Sequence, residues 1–177
     1  MKKIILINLL CLATNRLIAQ CEDTFTYYEE LPNNITILSG DNCLSDNDIN
    51  VLDRIIILNG LNYNSPLELG TQTWLNGRLR FFVAGNYGNS AGINDTINIL
   101  PDNIGDLNSL ALLYLEWHRL SELPSSFSQM HSLISVYLNN NVLSSLVDDI
   151  DNLTNLNLLD LGYNELELLP NSVCNLQ

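Results

Sequence analysis

LPDNIGDLNSLALLYLEWHRLSE (residues 100–122), LPSSFSQMHSLISVYLNNNVLSS (123–145) and LVDDIDNLTNLNLLDLGYNELEL (146–168) follow one another without a gap, and a fourth copy, LPNSVCNLQ, opens at Leu169. Each copy starts 23 residues after the last, and the three full copies follow L-x-x-L-x-L-x-x-N-x-L in phase, with Val136 at one leucine position and His118 at one asparagine position. A unit of this size cannot bury its own apolar face, so tandem copies must stack to gain a core. The L-x-L step alternates with period two. It predicts a short strand with Leu113/Leu115, Val136/Leu138 and Leu159/Leu161 pointing inward. The return segments add Leu100, Ile104 and Leu107, then Leu123, Phe127 and Met130, then Leu146, Ile150 and Leu153 to the same core. Leu-Pro at 100, 123 and 169 fixes φ where the chain turns back and needs no strand N–H.

The asparagine of the pattern has a physical task. Where the strand ends, the backbone turns inward, and a buried amide can satisfy both carbonyl and N–H groups of adjacent turns. Asn141 and Asn164 fit that position, Asn86 fits it one unit earlier, and His118 replaces it as a structural histidine. The pattern resembles the leucine-rich repeat signature, and the match runs over residues 81–176. The resemblance implies an α/β solenoid, a horseshoe with short parallel strands on the concave face and irregular or 3-10 returns on the convex face. It also implies recognition rather than chemistry.

Upstream, F81-F82-V83-A84-G85-N86 matches the L-x-L-x-x-N part of a unit. Asn86 lies 32 residues before His118, nine more than the period, so residues 87–95 read as an insertion on the turn side. The plain reading of that insertion is a tolerated surface loop; the alternative is a loop on a functional face, where solenoid insertions often fall. Before it, C43-L44-S45-D46-N47-D48-I49 leads into a capped helix, with Ser45 and Asp48 at its start and Ile49, Leu52 and Ile56 at helical spacing. W74-L75-N76-G77-R78-L79 then approaches the first strand. Together these resemble the N-terminal caps of extracellular plant-type repeat proteins, without the paired cysteines such caps place near the tryptophan. The expected organisation is a signal peptide over 1–19, a helix-bearing cap segment over 20–76, and repeats over 77–177 with the last one incomplete.

Lys2 and Lys3, the apolar run Ile4–Ala13 and Leu17-Ile18-Ala19 read as an export signal cleaved after Ala19. A lipid anchor at Cys21 is the alternative. Export predicts a secreted or cell-surface protein without membrane insertion after cleavage, and it permits a Cys21–Cys43 bridge. Beyond residue 19 there is no lysine, and four arginines face twenty acidic residues. Such a surface repels phosphate backbones and anionic lipid heads, so nucleic acid is excluded as a partner.

No nucleophile elbow, metal-binding helix motif or phosphate-cradling loop occurs, which argues against an enzyme, a cofactor and a metal. Asp46, Asn50 and Asp53 have a calcium-like spacing, but Leu44 and Asn47 break the loop pattern and favour the helix start. The residues between the inward leucines form outward columns on the concave face. One column reads Phe82, Tyr114, Tyr137, Asp160; the next reads Ala84, Glu116, Asn139, Gly162; beside it stand Gly85, Trp117, Asn140, Tyr163. With Arg80 near the rim, these aromatics and carboxylates predict a face that binds a protein or glycan. The alternative is a structural or adhesive spacer, a portion of a longer protein, with further repeats or a partner over the open C-terminal end.

Overall fold

The computed structural model describes residues 21–88 and 92–176, so the expected export signal lies outside the described residues. The 23-residue period becomes a stack. Strands β5 (Arg78–Val83), β6 (Leu112–Tyr114), β7 (Ser135–Tyr137) and β8 (Leu158–Asp160) pair in parallel, with Phe82 opposite Leu113, Leu113 opposite Val136 and Val136 opposite Leu159. Side chains of Phe82, Leu113, Val136 and of Ala84, Leu115, Leu138 are fully buried beneath them. The chain has a solenoid-like α/β fold.

Each strand is followed by a turn and a 3-10 return, at Ile104–Asp106, Ser125–Gln129, Ile150–Asn152 and Asn171–Asn175. Ile104, Phe127 and Ile150 from these returns close the core from below. Pro124 and Pro170 hold extended backbone immediately before two of them (φ −61° and −64°). Proline costs nothing there, because the first N–H groups of a helical turn have no partner inside it.

The part preceding the stack is richer than the sequence suggests. Helix α1 (Asp46–Asn59) starts where its cap predicts, Ser45 accepting from the Asp48 N–H, and ends at the left-handed Gly60. It buries Val51, Leu52 and Ile55 and packs against the Ile104–Asp106 return. Two of the three residues weighed for calcium already have protein donors: Asp46 accepts from Thr26 Oγ1 at 2.7 Å and Asn50 from Asn103 Nδ2 at 3.2 Å. Strands β1 (Phe25–Tyr27) and β3 (Cys43–Ser45) form a small antiparallel pair, and β2 (Ile35–Ser39) runs parallel to β4 (Thr71–Leu75) in the main sheet.

W74-L75-N76-G77-R78-L79 is a hairpin joining β4 to β5 rather than a lead into a first strand. Asn76 and Gly77 both have positive φ (50° and 73°), the geometry a two-residue turn of the primed type requires. A Cβ at Gly77 would lie 2.4 Å from the Cys43 carbonyl oxygen, so only glycine fits. Between Trp74–Leu79 and Thr73–Phe81 the register slips by one, leaving Arg80 as the extra residue of a bulge. Leu79 and Phe82 can then both face the core, three positions apart.

A buried ion pair ties the helix to this hairpin. Asp48, wholly buried, accepts from Arg78 Nε (2.9 Å) and Nη2 (2.7 Å), and from the Leu79 N–H (2.8 Å). The pair raises the Arg78 pKa further. The Cys21–Cys43 disulfide is formed, consistent with an extracellular protein. It occupies the Cys21 thiol, which corrects the alternative of a lipid anchor at that residue. Among the described residues no helix is long and apolar enough to cross a membrane.

Candidate functional site

The open face of the sheet carries the outward columns. The strand pairing sets them as Val83, Tyr114, Tyr137, Asp160, then Gly85, Glu116, Asn139, Gly162. Tyr114 and Tyr137 stack, ring centroids 4.2 Å apart and planes inclined by 15°. Adjacent strands lie about 4.8 Å apart, so the two rings simply follow the sheet spacing. Burial and the bond with Tyr137 raise the Tyr114 pKa.

Phe82 is not part of this face. It is fully buried, whereas Phe81 is 37% exposed. The bulge at Arg80 shifts the first unit by one residue relative to the repeat match, so Phe82 and Ala84 take the inward places and Val83 the outward one. The same shift corrects Asn86, expected in the row of structural amides. Its N–H donates to the Glu116 carbonyl (2.9 Å), as Trp117 donates to Asn139 (3.2 Å) and Asn140 to Gly162 (2.9 Å). Asn86 therefore belongs with Trp117, Asn140 and Tyr163. Phe82 and Leu113 are 31 residues apart, so the first unit is longer than the period by eight residues, not nine.

The structural row runs through the other three members. His118 Nε2 meets the Ala84 carbonyl at 2.7 Å, and its Nδ1 accepts the Ile97 N–H at 3.2 Å. Asn141 donates to the Leu115 and Leu138 carbonyls and accepts from the Leu120 N–H. Asn164 repeats this with Leu138, Leu161 and Leu143. Burial lowers the His118 pKa, with the Ala84 bond acting weakly against it.

Sequence reasoning missed Tyr87. A Cβ at Gly85 would fall 2.3 Å from the Tyr87 ring, so that ring lies over the glycine and fills the place Glu116 and Asn139 fill in later units. Its hydroxyl donates to the Glu116 carboxylate. Glu116 is only 8% exposed. Burial raises its pKa and Asp160 adds to the rise, while the Tyr87 bond and a backbone N–H oppose it. The Tyr87 phenol is itself pushed up, by burial first and then by Glu116. A bare glycine followed two residues later by tyrosine was the available signal. The insertion is also no mere surface loop: Ile93 is buried, and its N–H donates to the Gly85 carbonyl.

The rim is aromatic and conformationally unusual. Trp117, Asn140 and Tyr163 stand in one column and all have positive φ (63°, 58° and 55°). Asparagine tolerates this region; a bulky aromatic pays about 1 kcal/mol or more to be there. Trp117 is nevertheless 57% exposed and Tyr163 86%, so their placement is not a packing demand. Arg80 lies at the other end of the strands, donating to the Ser109 carbonyl at 2.9 Å. It borders a hollow with Ser132, Ile134, Asn155 and Asn157. The residues thus brought together are Tyr87, Tyr114, Glu116, Tyr137, Asn139 and Asp160, with Trp117 and Tyr163 at the rim.

Among the described residues, no group of three or more histidine, cysteine or acidic side chains is placed to hold a metal ion. A hollow of about 530 Å³ lined by Cys21, Phe25, Gly40, Cys43 and Asn76 lies beside the disulfide, away from the aromatic face.

No protein-family model matches the chain, and no curated protein does. Among solved structures, an LRR protein of Leptospira interrogans is 35% identical over a match covering 46% of this chain and 21% of that one, with a TM-score of 0.45. The match thus spans about a fifth of that protein's length.

Proposed function

We propose that the chain is an exported, non-catalytic leucine-rich repeat module that recognises a protein or glycan ligand through the open, concave face of its sheet. The observation that carries this reading is the rim. Two exposed aromatics occupy left-handed backbone positions where asparagine stands between them. Strain of that kind persists where the surrounding structure enforces it, and it concentrates at ligand-facing sites. Trp and Tyr dominate binding hot spots because they bury large area with few rotatable bonds. Tyr87, Tyr114 and Tyr137 extend the surface inward along the strands. The helix and hairpin before the stack act as its N-terminal cap, similar to those of extracellular plant-type proteins.

The test is a surface-plasmon-resonance screen of immobilised extracellular proteins and glycans, repeated with Tyr114→Ala/Trp117→Ala. A hit should weaken at least tenfold in the double variant while its melting curve stays cooperative. Unchanged affinity overturns the reading.

A further inference from the structure

Resting on the reading of the open face as a recognition surface, we infer that its ligand is a basic, extended protein segment. Two of its lysine or arginine side chains would seat beside Trp117–Glu116 and Tyr163–Asp160. Three observations on the face lead there, and they concern charge, hydrogen-bond valence and shape.

The outward columns contain carboxylates and no cation. Of the four arginines beyond residue 19, Arg78 is held by Asp48, Arg80 is bonded to the Ser109 carbonyl at the opposite strand ends, and Arg54 sits in α1. Arg119 follows the His118 rung, past the outward columns, its N–H bonded to the Ile97 carbonyl. Among the described residues, Glu116 and Asp160 thus face outward without a basic partner, and their donors are neutral: the Tyr87 hydroxyl and a backbone N–H for Glu116, and the Gly162 N–H (3.0 Å) for Asp160. On a chain with net charge −13, the complementary ligand is cationic.

The hydrogen-bond valence of the face is also one-sided. Asn139 Oδ1, between those two carboxylates along the sheet, is buried and has no donor among the described residues. A buried acceptor left unpaired costs about 1–3 kcal/mol, so a donor-rich ligand that shifts the side chains covering it would recover that cost. Guanidinium and ammonium groups are pure donors.

Shape places the donors. Gly162 has no side chain, and an added Cβ there would lie 3.2 Å from Asp160 Oδ1 and 4.0 Å from the Asn139 Cβ. The glycine leaves a notch walled by an acid and an amide, beside the exposed Tyr163. Tyr114 and Tyr137 turn ring faces to each other, so the freest aromatic surface for a long aliphatic stem and its charge is Trp117 and Tyr163. Those two residues are two strands apart, roughly 10 Å, the rise of about three extended residues. A neutral glycan would use the rings but would leave the carboxylates without a counter-charge.

The experiment is selection of displayed random 12-residue peptides on the disulfide-bonded protein, with binders re-measured as synthetic peptides. The expected result is enrichment of lysine and arginine at positions about three apart. Affinity should fall about tenfold in Glu116→Gln/Asp160→Asn, fall again in Tyr114→Ala/Trp117→Ala, and weaken steeply from 50 to 500 mM NaCl. Both carboxylate replacements keep a hydrogen-bond acceptor, and Asp160→Asn alone, at a partly exposed position, serves if the double variant melts early. Neutral or acidic peptides that depend on Tyr114 and Trp117 overturn the basic ligand and leave the face reading standing. A glycan bound through the same two aromatics has the same consequence. Binders indifferent to all four substitutions, or no enrichment, overturn both.

Discussion

His118 accepts the Ile97 N–H on Nδ1 at 3.2 Å just as Asn141, one turn later, accepts the Leu120 N–H on Oδ1 at 3.0 Å. An imidazole and an amide thus fill the same position of successive turns. The imidazole reaches up to the Ala84 carbonyl with its other nitrogen, as the Asn141 amide reaches the Leu115 carbonyl. That pair of partners requires the neutral ring, protonated on Nε2. A proton added to Nδ1 would face the Ile97 N–H donor to donor.

Acid should therefore attack this turn first. The folded-state pKa of His118 is lowered, so its contribution is fully present above the ordinary value near 6.5 and is lost as pH falls toward and through the lowered one. His118→Asn keeps a donor and an acceptor without the titration. Melting curves at pH 7.5 and 5.5 should show a larger drop in Tm for the natural protein than for the variant. Equal drops would remove His118 as the cause.

The register of the first unit makes opposite forecasts for two adjacent phenylalanines. Phe82→Ala empties a fully buried site and should cost about 3–5 kcal/mol, while Phe81→Ala should cost about 1 kcal/mol or less. Urea unfolding of the two variants measures the difference. The reverse order would restore the unbulged register.

Arg78 and Asp48 are bound across a boundary between helix and hairpin, with Asp48 wholly out of water. Arg78→Met strands a buried carboxylate, and a loss of about 3–5 kcal/mol is expected. Because the pair is sheltered, the loss measured in urea should change little between 50 and 500 mM NaCl. A cost under about 1 kcal/mol would mean that the hairpin holds its place without the pair.

Trp117→Asn should separate stability from recognition. Asparagine accepts the 63° φ that tryptophan endures, so Tm should rise by the equivalent of about 1 kcal/mol. Affinity for any ligand found on the face should fall at the same time. A variant that is both less stable and binds as well as the natural protein would contradict the assignment of Trp117 to the rim.

Much of the stack was legible in residues 100–168 because the core leucines, the Pro turns and the amides Asn141 and Asn164 repeat at a constant step. Helix α1 was legible for a different reason, its Ser45 cap and apolar spacing. The first unit was not. F81-F82-V83-A84-G85-N86-Y87 has apolar residues in two frames one residue apart, Asn86 points to the wrong one, and the bulge at Arg80, made by pairing with β4, sets the other. Tyr87 escaped notice since it stands at the start of an insertion, where sequence periodicity has nothing to say. The arginine placed near the rim lies at the far strand ends for a related reason: a strand pattern assigns faces, and the bulge moves Arg80 off both.

The ring of Tyr87 resting on Gly85 separates display from scaffold. A strand can only show what its alternation permits, and changing an outward residue risks the inward ones beside it. Here a glycine clears the strand and a side chain from the following loop is laid into the cleared place. The surface offered to a ligand in that unit is consequently editable through the loop alone, with the buried layer of Phe82, Ala84 and Leu113 left as it is.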